Sequence, residues 1–145
     1  MLSLAISIAA QAFEWKYDKG GKPYVLHCLH VMDDVAVYED EELMVIAVLH
    51  DIVEDTDWTL ARLACLDFSD RVVTGVDYLT HDKSMSYEEY IEKIMENSDA
   101  IIVKRADLRH NSDITRIKGV TDKDFLRIAR YHCAYTLLKE FDGLG

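Results

Sequence analysis

The chain contains a single proline and only six glycines in 145 residues, so few positions can break a helix and no flexible linker composition is present. Cysteine is equally sparse. Cys28, Cys65 and Cys133 are odd in number and show no C-x-x-C spacing, which excludes a disulfide framework and a thiolate zinc motif. That usage fits a reducing, cytoplasmic compartment, with Cys65 and Cys133 expected as small core residues. Basic residues are in deficit: 16 Lys and Arg stand against 27 Asp and Glu, for a net charge of −11. Long-range attraction to nucleic acid or to an anionic membrane is therefore disfavoured, while a small phosphorylated ligand can still be held by a local cation. No apolar run approaches the roughly 20 residues of a membrane-spanning helix. The opening "MLSLAISIAAQAFEW" has no Lys or Arg before its apolar run and reads as a core helix rather than a secretion signal. What the chain does have is apolar content, 50% of residues, enough for one core over a single domain spanning 1–145.

Helical spacing dominates. A first helix is expected to about Lys16, a turn at "DKGGKP", and a second helix opened by Pro23 that carries Tyr24, His27 and His30. "DEELMVIAVLHDIVED" places Leu43, Ile46, Ala47 and Leu49 at helical spacing, predicting a helix with one buried face. "SYEE" from Ser86 and "TDKD" from Thr121 have capping-box form, with Gly119 suited to a helix stop before the second. "AIIVKRADL" is long enough, with its flanks, to favour helix over strand. The fold class is all-α, a compact helical bundle.

"LHDIVEDT" crowds His50, Asp51, Glu54 and Asp55 into an apolar stretch. On a continuous helix His50 and Glu54 are four apart, as are Asp51 and Asp55, so all four groups can face one cleft. Clustered carboxylates repel one another and shift toward protonation, so the arrangement calls for a cation. The alternative is a solvated acidic face on which His50 merely packs. "KPYVLHCLHV" adds His27 one helix earlier and "VKRADLRHN" adds Asp107 on a later one.

With these pieces in place the sequence resembles the HD-superfamily phosphohydrolases, and more closely the hydrolase domain of RelA/SpoT-type proteins and their small single-domain alarmone-hydrolase relatives. The likeness is carried in order by "DKGGKPYVLH", "AVLHDIVEDT", "VDYLTHDKSMSYEEYIE", "VKRADLRHNSD" and "TDKDFLRIARYHCAYTLL", nearly the whole chain. It implies an HD-domain bundle in which His27, His50, Asp51 and Asp107 ligate one divalent cation per chain, expected to be Mn2+. It makes Glu54 and Asp55 the pair that orients or deprotonates the attacking water and handles the leaving oxygen's proton. Lys19, Tyr24, Lys104 and Asn111 match substrate-side positions, and Lys83 and Arg116 are further phosphate-contact candidates. Asp55 stands where two-metal relatives place a further histidine, which favours a single metal.

The chain departs from the family pattern at "AFEWK", residues 12–16, where relatives read "AHxGQ", and at Asp18 and Lys19, where alarmone hydrolases often carry Arg-Lys. Cys28 stands in place of a proline, and "ADLRHN" inverts "ADRLHN". His30, His81, His110 and His132 are expected as surface or supporting groups. The resemblance implies hydrolysis of guanosine 3′,5′-bis(diphosphate), ppGpp, with release of pyrophosphate. The alternatives are an HD nucleotidase or pyrophosphatase with another base preference, or a module that binds and sequesters a nucleotide. Retention of both Glu54 and Asp55 favours the enzyme. The expected partner is a small nucleotide, with no nucleic acid and no membrane, and a homo-oligomer is left open.

Overall fold

The densest aliphatic run, residues 43–49, is almost wholly buried. In the computed structural model, which describes residues 1–141, it forms α3 (Glu41–Leu49). Around it lie α1 (Leu2–Ala12), α2 (Val25–Asp34), α6 (Asp70–Leu79) and α8 (Ser98–Asn111), all packed directly on α3. The short α4 (Ile52–Asp55) continues from α3, α5 (Leu60–Ala64) packs on α6, α7 (Tyr87–Ile94) on α6 and α8, and α9 (Asp122–Glu140) on α8. Among the described residues there is no strand, only an isolated bridge between Tyr17 and Pro23. The all-α expectation holds.

Helix starts are set locally. Asp40, Thr59, Ser69, Ser86 and Asn97 each accept a backbone N–H from the first turn of the helix that follows. Each such cap is worth about 1 kcal/mol. At Thr121 the Asp124 carboxylate accepts from both the backbone N–H and the hydroxyl of the cap residue, each at 2.9 Å. Arg71 on α6 then bridges Asp40, Glu42 and Asp99, tying the starts of α3 and α8 together. Gly75 lets α6 approach α3 closely, since a Cβ there would stand 2.7 Å from Ile46 Cδ1.

Several expectations are corrected. Helix α1 ends at Ala12, not near Lys16, because the chain turns at Phe13 and Trp15 takes a positive φ of 67°. The Lys16 carbonyl then accepts from Tyr24 N–H at 2.8 Å, closing the loop that holds residues 17–23. Pro23 sits in that bridge rather than opening α2, which starts at Val25 with Tyr24 as its cap. Helix α3 buries every side chain from Val45 to Leu49, not one face, because neighbours surround it. Gly119, with φ 73°, follows a 3-10 turn (Ile114–Arg116) rather than stopping an α-helix. Cys65 and Cys133 are exposed, the first at the end of α5 and the second on the outer face of α9; only Cys28 is in the core.

Candidate active site

The predicted continuous helix through "LHDIVEDT" is interrupted at Asp51, whose φ of −103° and ψ of 1° leave the helical well. This break turns Asp51 toward His50 rather than leaving the two side chains 100° apart. His50 Nε2 lies 2.9 Å from Asp51 Oδ2 and 3.4 Å from Asp107 Oδ1. His27 Nε2, from α2, lies 2.9 Å from Asp107 Oδ1 and 3.8 Å from Asp51 Oδ2. One donor atom from each of the four side chains falls within 4.8 Å of the others, and His27, His50 and Asp107 are buried. Three helices and one helix break thus converge on a point.

Proton positions follow from the outer partners. His50 Nδ1 faces the Ala47 carbonyl at 2.7 Å, and a carbonyl can only accept, so the proton sits on Nδ1. Its Nε2 lone pair is then aimed inward, and that buried atom has no hydrogen-bond partner. His27 Nδ1 lies 2.7 Å from His110 Nδ1, so one of the two carries the shared proton. Burial, with Arg116, His27 and His30 nearby, lowers His110 to about 4, keeping it neutral and able to accept. Either His27 tautomer finds an acceptor, His110 Nδ1 on one side and Asp107 Oδ1 on the other. The His50 lone pair faces the Asp51 and Asp107 carboxylates, an arrangement of acceptors against acceptors that a divalent cation resolves. Burial alone would depress the His50 imidazolium; the Asp51 and Asp107 carboxylates outweigh it and raise it well above the usual range. The site favours positive charge by either route. Two nitrogens with two carboxylate oxygens can hold a divalent metal.

The surrounding groups fix the carboxylates. Tyr24 donates its hydroxyl to Asp51 Oδ2 at 2.5 Å. Lys104 Nζ and Asn111 Nδ2 donate to the two oxygens of Asp107, each at 2.8 Å. Burial opposes ionisation of Asp107, but Lys104 and the two histidines prevail and hold it well below the usual carboxylate range. Glu54 and Asp55 behave oppositely. Burial and the neighbouring carboxylates raise both, although Glu54 accepts from His81 N–H at 2.8 Å and the Lys16 ammonium donates to the Asp55 carbonyl. Asp51, Glu54 and Asp55 also present oxygens within 4.8 Å of one another. A carboxylate with a raised pKa beside a cation-seeking cluster is suited to taking a proton from water.

One cavity opens onto this cluster and a second adjoins it. One, of about 490 Å³, is walled by Asp51, Glu54, Asp55, Asp107, Lys104 and Arg130, together with Tyr87 and Tyr90. The other, of about 270 Å³, is walled by Lys19, Gly20, Arg116, Arg127 and Ile117. Tyr24, Asn111 and Tyr131 line both. Of the sequence-derived substrate candidates, Lys19, Tyr24, Lys104, Asn111 and Arg116 thus border this space. Lys83 does not: it is exposed in the 80–86 loop and lines neither cavity. Arg116 reaches Asp18 at 3.1 Å and the His110 carbonyl at 2.7 Å. Its own carbonyl sits where only Gly20 fits, since a Cβ there would be 2.2 Å away.

Sequence reading missed Lys16, Tyr87, Arg127, Arg130 and Tyr131. The last three sit on α9, whose placement over the cavities depends on its packing against α8. Of the other histidines, His110 stacks between His27 and His30, with centroids at 5.0 and 3.8 Å, and His81 stacks on Tyr90 at 4.6 Å. His132 lies on the far side, beside Tyr135 and Leu108.

No known family profile matches the chain. It is 28% identical over 116 residues to a guanosine-3′,5′-bis(diphosphate) 3′-pyrophosphohydrolase of Haemophilus influenzae, covering 72% of this chain and 17% of that protein. A protein of the same description from Borreliella burgdorferi is 29% identical over 153 residues, covering 97% of this chain and 22% of that protein. A probable GTP pyrophosphokinase of Mycobacterium leprae is 33% identical over 117 residues, 74% of this chain and 15% of that protein. The chain therefore spans about a fifth of the length of the curated relatives it matches. Among solved structures, a metazoan ortholog of SpoT described as hydrolysing ppGpp superposes with a TM-score of 0.79 at 26% identity, covering 94% of this chain and 84% of that one. Sequence and fold agree on one likeness: the chain is an all-α domain resembling the HD-type hydrolase domain of RelA/SpoT proteins.

Proposed function

We propose that this chain is a metal-dependent nucleotide phosphohydrolase that converts guanosine 3′,5′-bis(diphosphate) and water to GDP and pyrophosphate, using one Mn2+ per chain. The observation that carries this reading is the inward lone pair of His50, buried and unpartnered, set among His27, Asp51 and Asp107 with Glu54 and Asp55 alongside. A divalent ion held by these four would neutralise the phosphate under attack and raise the acidity of the attacking water. Glu54 takes the proton from that water, its carboxylate held in place by His81 N–H. Asp55, protonated at the outset, hands its proton to the departing 3′ oxygen. The water oxygen ends on the pyrophosphate and the P–O bond to the ribose breaks.

Lys104 faces the cavity while bonded to Asp107, so it links the ligand cluster to the phosphate space. Lys19 and Arg116 in the adjoining cavity suit the 5′-diphosphate, with Tyr24 and Asn111 between the two ends. The unpaired state of all three cysteines is in keeping with a cytoplasmic setting. A second base preference is favoured by one feature: Asp18, ion-paired to Arg116, lines the nucleoside side where alarmone hydrolases often carry a cation.

The experiment is a panel of nucleotides incubated with the Mn2+-loaded protein, with products identified by mass. GDP and pyrophosphate from ppGpp, abolished by chelation, are the expected result. Turnover of another nucleotide alone would keep the chemistry and reject the alarmone. Nucleotide binding without turnover across several metals would favour a sequestering module.

A further inference from the structure

The cavity beside the ligand cluster contains a cation with no anion. Among the described residues the guanidinium groups of Arg71, Arg109, Arg116 and Arg127 each hold a carboxylate, at 2.7–3.1 Å. Lys104 is likewise committed to Asp107 at 2.8 Å. Among the described residues Arg130 has no carboxylate within ion-pair distance. Its guanidinium instead lies over the Tyr87 ring, 4.6 Å from the centroid, and both residues line the cavity that Asp51 and Asp107 also line. In a chain of net charge −11, an arginine that faces an acidic cavity without an ion pair keeps its five donors available. Stacking on Tyr87 holds the guanidinium plane in one orientation and reduces what ordering would otherwise cost.

The second observation is independent. The Tyr87 hydroxyl is buried and has no hydrogen-bond partner. An unsatisfied buried hydroxyl is unfavourable unless something occupies the cavity it borders. Burial also raises the Tyr87 phenol, so it stays protonated and acts as a donor at neutral pH. Two unused donors therefore line the same cavity as Asp51 and Asp107 of the four-ligand cluster. An anion that reaches both these donors and the ligand cluster within this cavity of about 490 Å³ needs oxygens at two ends of a span, which the two phosphorus centres of a diphosphate supply and a lone phosphate does not.

We propose that Arg130 and the Tyr87 hydroxyl together grip the terminal phosphate of the substrate's diphosphate, so that this domain selects diphosphate esters over monophosphate esters. The inference rests on the phosphohydrolase reading of the same site and adds which phosphate is recognised, and by which residues. Arg130 acts on specificity, and Tyr87 both donates to the phosphate and orients the guanidinium by stacking. Lys104 remains paired with Asp107 and serves the phosphate nearer the ligand cluster. Exposure of Arg130 on α9 means its replacement leaves the core intact.

The test is calorimetric titration of the Mn2+-loaded protein with inorganic pyrophosphate and, separately, with orthophosphate. Wild type should bind pyrophosphate more tightly. Arg130→Ala should weaken pyrophosphate by about 10- to 100-fold, the scale of a charge-assisted bidentate contact, while changing orthophosphate by less than about threefold. Arg130→Lys should recover only part of the loss, because an ammonium cannot make the forked contact. Tyr87→Phe, which keeps the stacked ring, should weaken pyrophosphate by about 5- to 10-fold. Unchanged pyrophosphate binding in Arg130→Ala, equal losses for both anions, or no pyrophosphate preference in wild type would each overturn the inference. Because the readout is binding, it separates from turnover. A protein that leaves ppGpp intact yet loses its pyrophosphate preference on Arg130→Ala would reject the alarmone reading and support this one.

Discussion

Replacing Lys104 by methionine separates the roles of the buried ion pair and the metal cluster. Lys104 and Asp107 are 12% and 3% exposed and 2.8 Å apart, and the methionine side chain can still pack on the Tyr90 ring that Lys104 covers. Removing one partner of a buried pair leaves the other charge uncompensated, which typically destabilises by about 3–5 kcal/mol. Asp107 keeps contacts to His27 and Asn111, so the lower end, about 3 kcal/mol, applies. At about 2–4 °C per kcal/mol for a chain near this size, the metal-free protein should melt about 6–12 °C lower. With a divalent ion present the sign of the coupling matters. Asp107 without its ammonium is a stronger ligand, so the metal-induced rise in Tm should be larger in Lys104→Met than in wild type. Turnover should nonetheless fall, because a cation facing the phosphate is gone. The assay is thermal unfolding by circular dichroism with chelator and with Mn2+. A metal-free Tm within about 2 °C of wild type would refute the buried-pair argument, and a smaller metal-induced rise would refute the assignment of Asp107 as a ligand.

Other substitutions probe the remaining parts. Tyr24→Phe keeps the ring against Phe13, at 5.0 Å, but deletes the hydroxyl that orients Asp51, and should weaken metal affinity by about 10-fold or more in a calorimetric titration. Glu54→Gln should retain the metal and lose about 10²-fold or more in turnover; near-normal rates with metal bound would move the base role to Asp55. Glu54 also gives a pH signature. Its folded pKa is raised, so the stability it contributes is present below the ordinary 4.5 and is lost as pH rises through the folded value. Glu54→Gln should therefore raise the Tm of metal-free protein at pH 7, and the gain should vanish below about pH 4.5, as followed by melts across that range. Gly20→Ala would drive a Cβ to 2.2 Å from the Arg116 carbonyl and displace the loop carrying Lys19, lowering nucleotide affinity more than metal affinity in paired titrations.

The bundle was legible because its helices carry their own start signals: Ser86 caps α7 and Asp124 closes the cap at Thr121, both visible as short patterns. Where burial is complete, periodicity stops informing. Residues 43–49 have no polar position to mark an outer face, so helical spacing predicts a one-faced helix where a central one occurs. The convergence of His27, His50, Asp51 and Asp107 was readable from motif order, but the helix break at Asp51 was not. No glycine or proline announces it, and the break instead accompanies the approach of Asp51 to His50 and Tyr24. His110 and Asn111 follow Asp107 by three and four positions, a spacing that does place them on its face. Arg127, Arg130 and Tyr131 could be found only by docking α9 onto α8, a tertiary fact that local sequence does not encode.

The central claim is that four side chains form one divalent-cation centre that drives release of pyrophosphate. Its most direct test is a stoichiometric titration: metal-free protein at a concentration far above the dissociation constant receives Mn2+ in fractional steps while pyrophosphate release from ppGpp is recorded. A single centre gives a linear rise that breaks at one equivalent per chain, and no rise in Asp51→Ala at any ratio. Release that persists in chelator, or a break at two equivalents, would contradict it.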